Sequence, residues 1–184
     1  MPNPLFVYDW PDPTFADVGA GQQALAGRVW NVQTAGNPWS IQRASNRPMH
    51  RFEVRPGDHA QGQLDRNRSE LQCTTKDAVS GVDLWVSYGL KVSAAAGILS
   101  DSMVLGQWHH TEDAGDFSGY PPFELNLHAD GLHVYTASVS EANRPTSYPI
   151  THRAGPIPFA LDEVHQIVIR SKFGWSDNAE LDVW

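Results

Sequence analysis

Apolar and polar side chains alternate in short runs along most of this chain, and no segment keeps a helical stripe for three turns. His50, Phe52 and Val54 alternate with Arg51, Glu53 and Arg55, and Pro56-Gly57-Asp58 then turns the chain. Arg66, Arg68, Glu70 and Gln72 alternate with Ser69, Leu71 and Cys73, and Val82, Leu84, Val86 and Tyr88 continue the pattern towards Lys91-Val92. Residues 103–110 read as another strand. Phe123, Leu125 and Leu127 alternate with Glu124, Asn126 and His128, and Ala129-Asp130-Gly131 closes a hairpin into Leu132 and Tyr135. Residues 164–170 and 180–184 complete the series. Residues 77–82 or 93–100 have room for a short helical turn, the first 40 residues read as irregular, and residues 140–158 read as a long loop bordering a cleft. Regularly spaced short strands with little helix predict an all-β chain, an antiparallel β-sandwich or jelly roll, formed by a single domain over residues 1–184.

Composition narrows the function classes. Net charge is −8, which argues against nucleic acid as the partner. Residues 43–68 nevertheless hold six of the 13 basic residues against three acids, a local +3 that leaves −11 for the rest. A basic patch on an acidic chain suits an anionic ligand held at one place. No apolar run approaches the roughly 20 residues needed to cross a bilayer, so no membrane partner is expected. Met1-Pro2-Asn3-Pro4 lacks the basic-then-apolar pattern of an export signal. The lone Cys73 excludes an internal disulfide, and its place on the apolar face of a strand predicts a buried thiol.

Two segments carry the chemistry. Strand alternation puts Arg66, Arg68, Glu70 and Gln72 on one face, and sets Gln107 and His109 opposite Trp108 and His110. Two such strands predict the floor of a wet groove, where a guanidinium and an amide bind a carboxylate and an imidazole moves a proton.

Arg51-Phe52-Glu53-Val54-Arg55-Pro56-Gly57-Asp58, Asn67-Arg68-Ser69-Glu70-Leu71, Gln107-Trp108-His109 and Pro122-Phe123-Glu124-Leu125 together resemble the heparin-lyase-like polysaccharide lyases of the β-jelly-roll type. The Arg-Ser-Glu-Leu and Gln-x-His pieces are also similar to signature strands of jelly-roll alginate lyases. The resemblance implies a concanavalin-like jelly roll and β-elimination on a uronate-containing anionic polysaccharide, with no obligatory cofactor. It implies that Arg68 and Gln107 neutralise the substrate carboxylate, that Asn67 or Glu70 assists, and that His109 takes the C5 proton. Glu70 would orient Arg68 by an ion pair, with Arg66, Arg51 and Gln72 as further substrate-binding residues.

One departure matters. The family's late Tyr-x-Lys-x-Gly-x-Tyr strand has no counterpart here, so the catalytic acid is unassigned among Tyr88, Tyr120, Tyr135 and Tyr148. The final residues read as the start of a hairpin, which implies that further strands come from a longer product or from another chain.

Other classes fit parts of the sequence. A zinc site at His109-His110 with Glu112 and Asp113 lacks ligand spacing, since adjacent strand residues diverge. A structural calcium is compatible with the acidic turn at Asp113 and Asp116, without a loop signature. Glu180 and Asp182 share a strand face as in retaining glycosidases, but Trp184 stands where a third carboxylate is expected. A non-catalytic carbohydrate-binding module or phage adhesin on the same fold is the remaining class. Polymer substrates lie outside cells, so an extracellular location, secreted or on a virion, is expected.

Overall fold

Trp30, Val32 and Thr34 turn to one side of an extended segment and Asn31 and Gln33 to the other, and this alternation places a strand where the Gly- and Ala-rich surroundings predict none. A computed structural model describes residues 21–25, 28–43, 50–60, 63–75, 79–96, 102–109, 120–137, 149–174 and 179–184. Its elements are β1 (Gly21–Leu25), β2 (Arg28–Thr34), β3 (Ile41–Arg43), β4 (His50–Phe52), β5 (Ser69–Cys73), β6 (Asp83–Leu90), β7 (Met103–Trp108), β8 (Phe123–His128), β9 (Gly131–Ala137), β10 (Ile150–Ile157), β11 (His165–Lys172) and β12 (Glu180–Val183). One 3₁₀ turn, Ala94–Ala96, falls within the 93–100 segment predicted for a short helical turn. All strand pairs are antiparallel, as the sandwich prediction requires.

The chain forms two compact units, Met1–Asp77 and Ala78–Trp184. In the first, β1-β2-β5 make a three-stranded sheet and β3-β4 a hairpin pair. Val32 and Ile41 are buried there, with Trp30 and Leu71 packed on them. Arg55-Pro56-Gly57-Asp58 turns as predicted: proline presets the first corner, Gly57 takes φ +89°, and the Asp58 N–H bonds the Arg55 carbonyl at 3.0 Å. Cys73 is half-buried rather than buried, because β5 ends there and its face is only partly covered.

In the second unit the sheet β10-β9-β8-β7 lies against β12-β11-β6. Phe123, Leu125, Leu132 and Val134 of the first sheet meet Ile167 and Ile169 of the second in one core, with Leu125 and Ile169 fully buried. Burying one such side chain contributes roughly 1.5–3 kcal/mol. Ala129 and Asp130 form the two-residue loop between β8 and β9, with His128 paired to Gly131 at φ +141°. The structure departs from the predicted 140–158 loop, since residues 150–157 form β10. Prolines obscured it in the sequence, yet an edge strand broken by register shifts accepts proline readily.

Candidate active site on the outer face of the four-stranded sheet

Register carries side chains across a sheet in rows, because directly paired residues of antiparallel strands point the same way. Gln107 pairs with Glu124, Glu124 with Tyr135, and Tyr135 with His152, so one row crosses all four strands. Asn126 pairs with His133 on the same face. Trp108, as predicted, turns inward to the core, its ring 4.7 Å from that of Phe123.

Glu124, Asn126 and His133 are all under a tenth exposed although they face away from the apolar core. A buried carboxylate needs donors. Tyr120 O–H and Asn126 Nδ2–H both bond Glu124 Oε1. Burial and the Glu124 bond together push the Tyr120 hydroxyl well above the ordinary phenol range.

Beside this pair lies a histidine–tyrosine cluster. His133 Nε2 is 2.9 Å from Asp130 Oδ1, and His133 Nδ1 is 3.0 Å from His152 Nε2. Tyr135 Oη is 3.5 Å from His128 Nε2. The rings of His128 and His133 are 4.5 Å apart and those of Tyr135 and His152 5.2 Å apart. His133 holds the Asp130 carboxyl below the usual carboxylate range by its hydrogen bond.

The neighbouring strand makes room for His133. Between Ala154 and Ile157 the β10 register shifts, and Gly155 takes φ +129°. A Cβ there would lie 2.7 Å from His133 Nδ1 and 2.9 Å from the Leu132 carbonyl oxygen. Only glycine fits.

The tyrosines left as alternatives now separate. Tyr88 packs in the sandwich core; its hydroxyl lacks a hydrogen-bond partner among the described residues, and burial pushes it up to about 12. Tyr120 is committed to Glu124. Tyr148 lies outside the described residues. Tyr135 remains, half-buried and ringed by imidazoles.

The other predicted site residues fall as follows. Gln107 stands in the row, and His109 is exposed one residue beyond β7. Arg66, Asn67, Arg68, Glu70, Gln72 and Arg51 belong to the first unit. Arg68 donates to Gln33 Oε1 and lies 3.2 Å from Glu70 Oε1, the ion pair expected of Glu70. Gln33 Nε2 donates in turn to Gln72 Oε1 at 2.7 Å, so Arg68, Glu70 and Gln72 share a polar face as expected. Arg66 precedes the strand and pairs with Asp65 at 2.8 Å. Asn67 Oδ1 accepts from the Gly57 N–H at 3.1 Å, and Arg51 bonds Gln42 and Glu53. Burial raises the Glu70 carboxyl, opposed by Arg68 and Arg66.

Gln107, on β7, and Arg68, one residue before β5, therefore belong to different units. The Asp130-Gly131 hairpin sets the register of His128, His133 and Tyr135, a signal local to the sequence. His152 had no such signal.

His110, Glu112, Asp113 and Asp116 lie outside the described residues, and no group of three or more metal-ligating side chains is arranged to hold an ion among those described. Glu180 and Asp182 are both engaged by Arg170, at 2.7 and 2.9 Å. Comparison with family models, curated proteins and solved structures finds no match for this chain.

Proposed function

We propose that the chain is a polysaccharide lyase that cleaves a uronate-containing anionic polysaccharide by β-elimination. The observation that carries this reading is Tyr135, in register with Gln107 on one side and His152 on the other, with His128 within reach of its hydroxyl. Elimination needs a donor for the uronate carboxylate, a base for the C5 proton and an acid for the leaving glycosidic oxygen. Gln107 supplies an amide to the carboxylate. Tyr135 supplies the acid that the sequence motifs left unassigned. An imidazole on the same side of the sheet supplies the base, His109 by the sequence reading. In the first unit the Arg68 face binds carboxylate groups of the polymer, and Glu70 holds the guanidinium in place.

The test is incubation with glucuronan, alginate and heparin while following the ultraviolet absorbance of the unsaturated uronate. A rising signal that Tyr135→Phe removes supports the reading. Reducing ends without that absorbance indicate a glycosidase and overturn it.

A second reading, a carbohydrate-binding module, is favoured by Trp85 and Trp184. Their indoles stack 5.8 Å apart and 6° from parallel, and each is more than half exposed. Such rings suit stacking on a sugar. Polymer-dependent retardation in a gel with no product on any polymer decides for it.

A further inference from the structure

We infer that His152 is the proton-accepting base of this site and that Asp130, acting through His133, fixes the tautomer that makes it one. The assignment rests on the lyase reading above and names a residue that the motifs pass over.

Hydrogen-bond direction carries the argument. A carboxylate only accepts, so the 2.9 Å contact requires the proton of His133 to sit on Nε2. Neutral His133 then offers its lone pair at Nδ1. The 3.0 Å contact to His152 Nε2 is satisfied only if that nitrogen carries a proton. In neutral His152 the lone pair therefore falls on Nδ1, the nitrogen left to accept a proton. Without Asp130 both rings would be free to exchange tautomers. A carboxylate that orients one imidazole is the ordinary device for fixing a histidine's basic nitrogen; here it acts through two rings in series.

The geometry of the reaction selects the same residue. The proton removed and the oxygen that leaves are on adjacent carbons, so base and acid must be neighbours. Tyr135 and His152 are paired across β9 and β10, with ring centroids 5.2 Å apart. His152 is exposed on the edge strand, whereas His133 is buried beneath the β10 irregularity and serves as its support. In the step, His152 Nδ1 takes the C5 proton and the C–H electron pair becomes the new C4–C5 double bond. The C4–O bond breaks, and the Tyr135 hydroxyl proton goes to the departing oxygen. His128 Nε2, 3.5 Å from that hydroxyl, faces the phenolate that results. His152 then releases its proton to solvent and the Tyr135 phenolate takes one up from solvent, which restores both groups.

Among the described residues, the groups facing the pair are Asp130, Glu124 and His128 from β8 and its loop, and His133 and Tyr135 from β9. Replacing Asp130 by Asn removes the group that can only accept a hydrogen bond, so the tautomer is no longer fixed and the rate falls.

The experiment uses the full chain with glucuronan and alginate. His152→Ala should lower the elimination rate by about 100-fold or more, with polymer retardation retained and part of the rate restored by added imidazole. Arg153→Ala, on the other face of the same strand, should leave the rate unchanged. Imidazole ¹⁵N spectra should show neutral His133 as the Nε2–H tautomer and lose that preference in Asp130→Asn. A wild-type rate in His152→Ala, with loss in His109→Ala, overturns the assignment of the base. An Nδ1–H tautomer at neutral His133 overturns the relay even if no polymer is cleaved. Absence of product from the unaltered chain on every uronate would instead sink the lyase reading, and the catalytic role of His152 with it.

Discussion

The two units each carry a polar sheet face, and the faces are built on opposite plans. On β2, on β5 and just before it, Arg68, Glu70, Gln33 and Gln72 satisfy one another, with a positive charge beside a negative one. On β8, β9 and β10 the groups are imidazoles and a phenol, which both donate and accept hydrogen bonds, tied to one carboxylate at the rim. The first plan suits holding charge. The second suits transferring a proton. The proposed elimination assigns a separate task to each, which makes the contrast testable.

The sharpest break would come from Tyr135→Phe, which deletes one hydroxyl and leaves the ring. Elimination measured by ultraviolet absorbance should fall about 100- to 10,000-fold, with circular dichroism unchanged. If the rate survives, proton transfer does not belong to this face.

Next in size is Asp58→Ala in the first unit. Asp58 is buried and accepts from Asn37 Nδ2 at 2.7 Å, Trp39 Nε1 at 2.9 Å and the Arg55 N–H at 2.8 Å. Leaving such donors unpartnered should cost about 3 kcal/mol, read as a lower urea midpoint. Elimination per folded molecule should change little beside the effect of Tyr135→Phe.

The same residue gives a pH test. Burial alone would raise the Asp58 carboxyl, but the bonds from Trp39, Arg55 and Asn37 outweigh it and hold it below the ordinary value of 3.8. A depressed folded-state value means that its stabilisation is present in full well above pH 3.8 and fades as pH falls through the folded value. Thermal midpoints of Asp58→Asn should therefore drop less steeply than those of the parent chain between about pH 5 and 2.

The smallest expected effect is that of Arg68→Ala. Half-maximal polymer concentration should rise about tenfold, the loss of one charge-assisted contact worth about 1.4 kcal/mol, with the rate at saturation nearly unchanged. A collapse of that rate instead would place Arg68 in the chemistry and weaken the contrast between the two faces.

What the sequence made readable follows from how local each signal is. The Pro56-Gly57 turn, the Asp130-Gly131 hairpin and the inward Trp108 depend on neighbours along the chain, and all were legible. β2 was hidden among small residues, and β10 among prolines, because pairing with a neighbouring strand overrides weak local preference. His152 was out of reach for that reason: its meaning comes from the strand beside it. The motifs singled out Arg68 and Gln107, but a motif says nothing of which unit each joins.

The irregular β10 has a consequence beyond the site. Edge strands with an unbroken row of N–H and C=O groups invite pairing with a second molecule. β10 lies at the edge of its sheet, its register shifts twice, and Pro156 offers no N–H. The kinks that seat His133 against Gly155 therefore also make this rim a poor template for strand addition, and protect the protein against self-association along the side where the polymer would be handled.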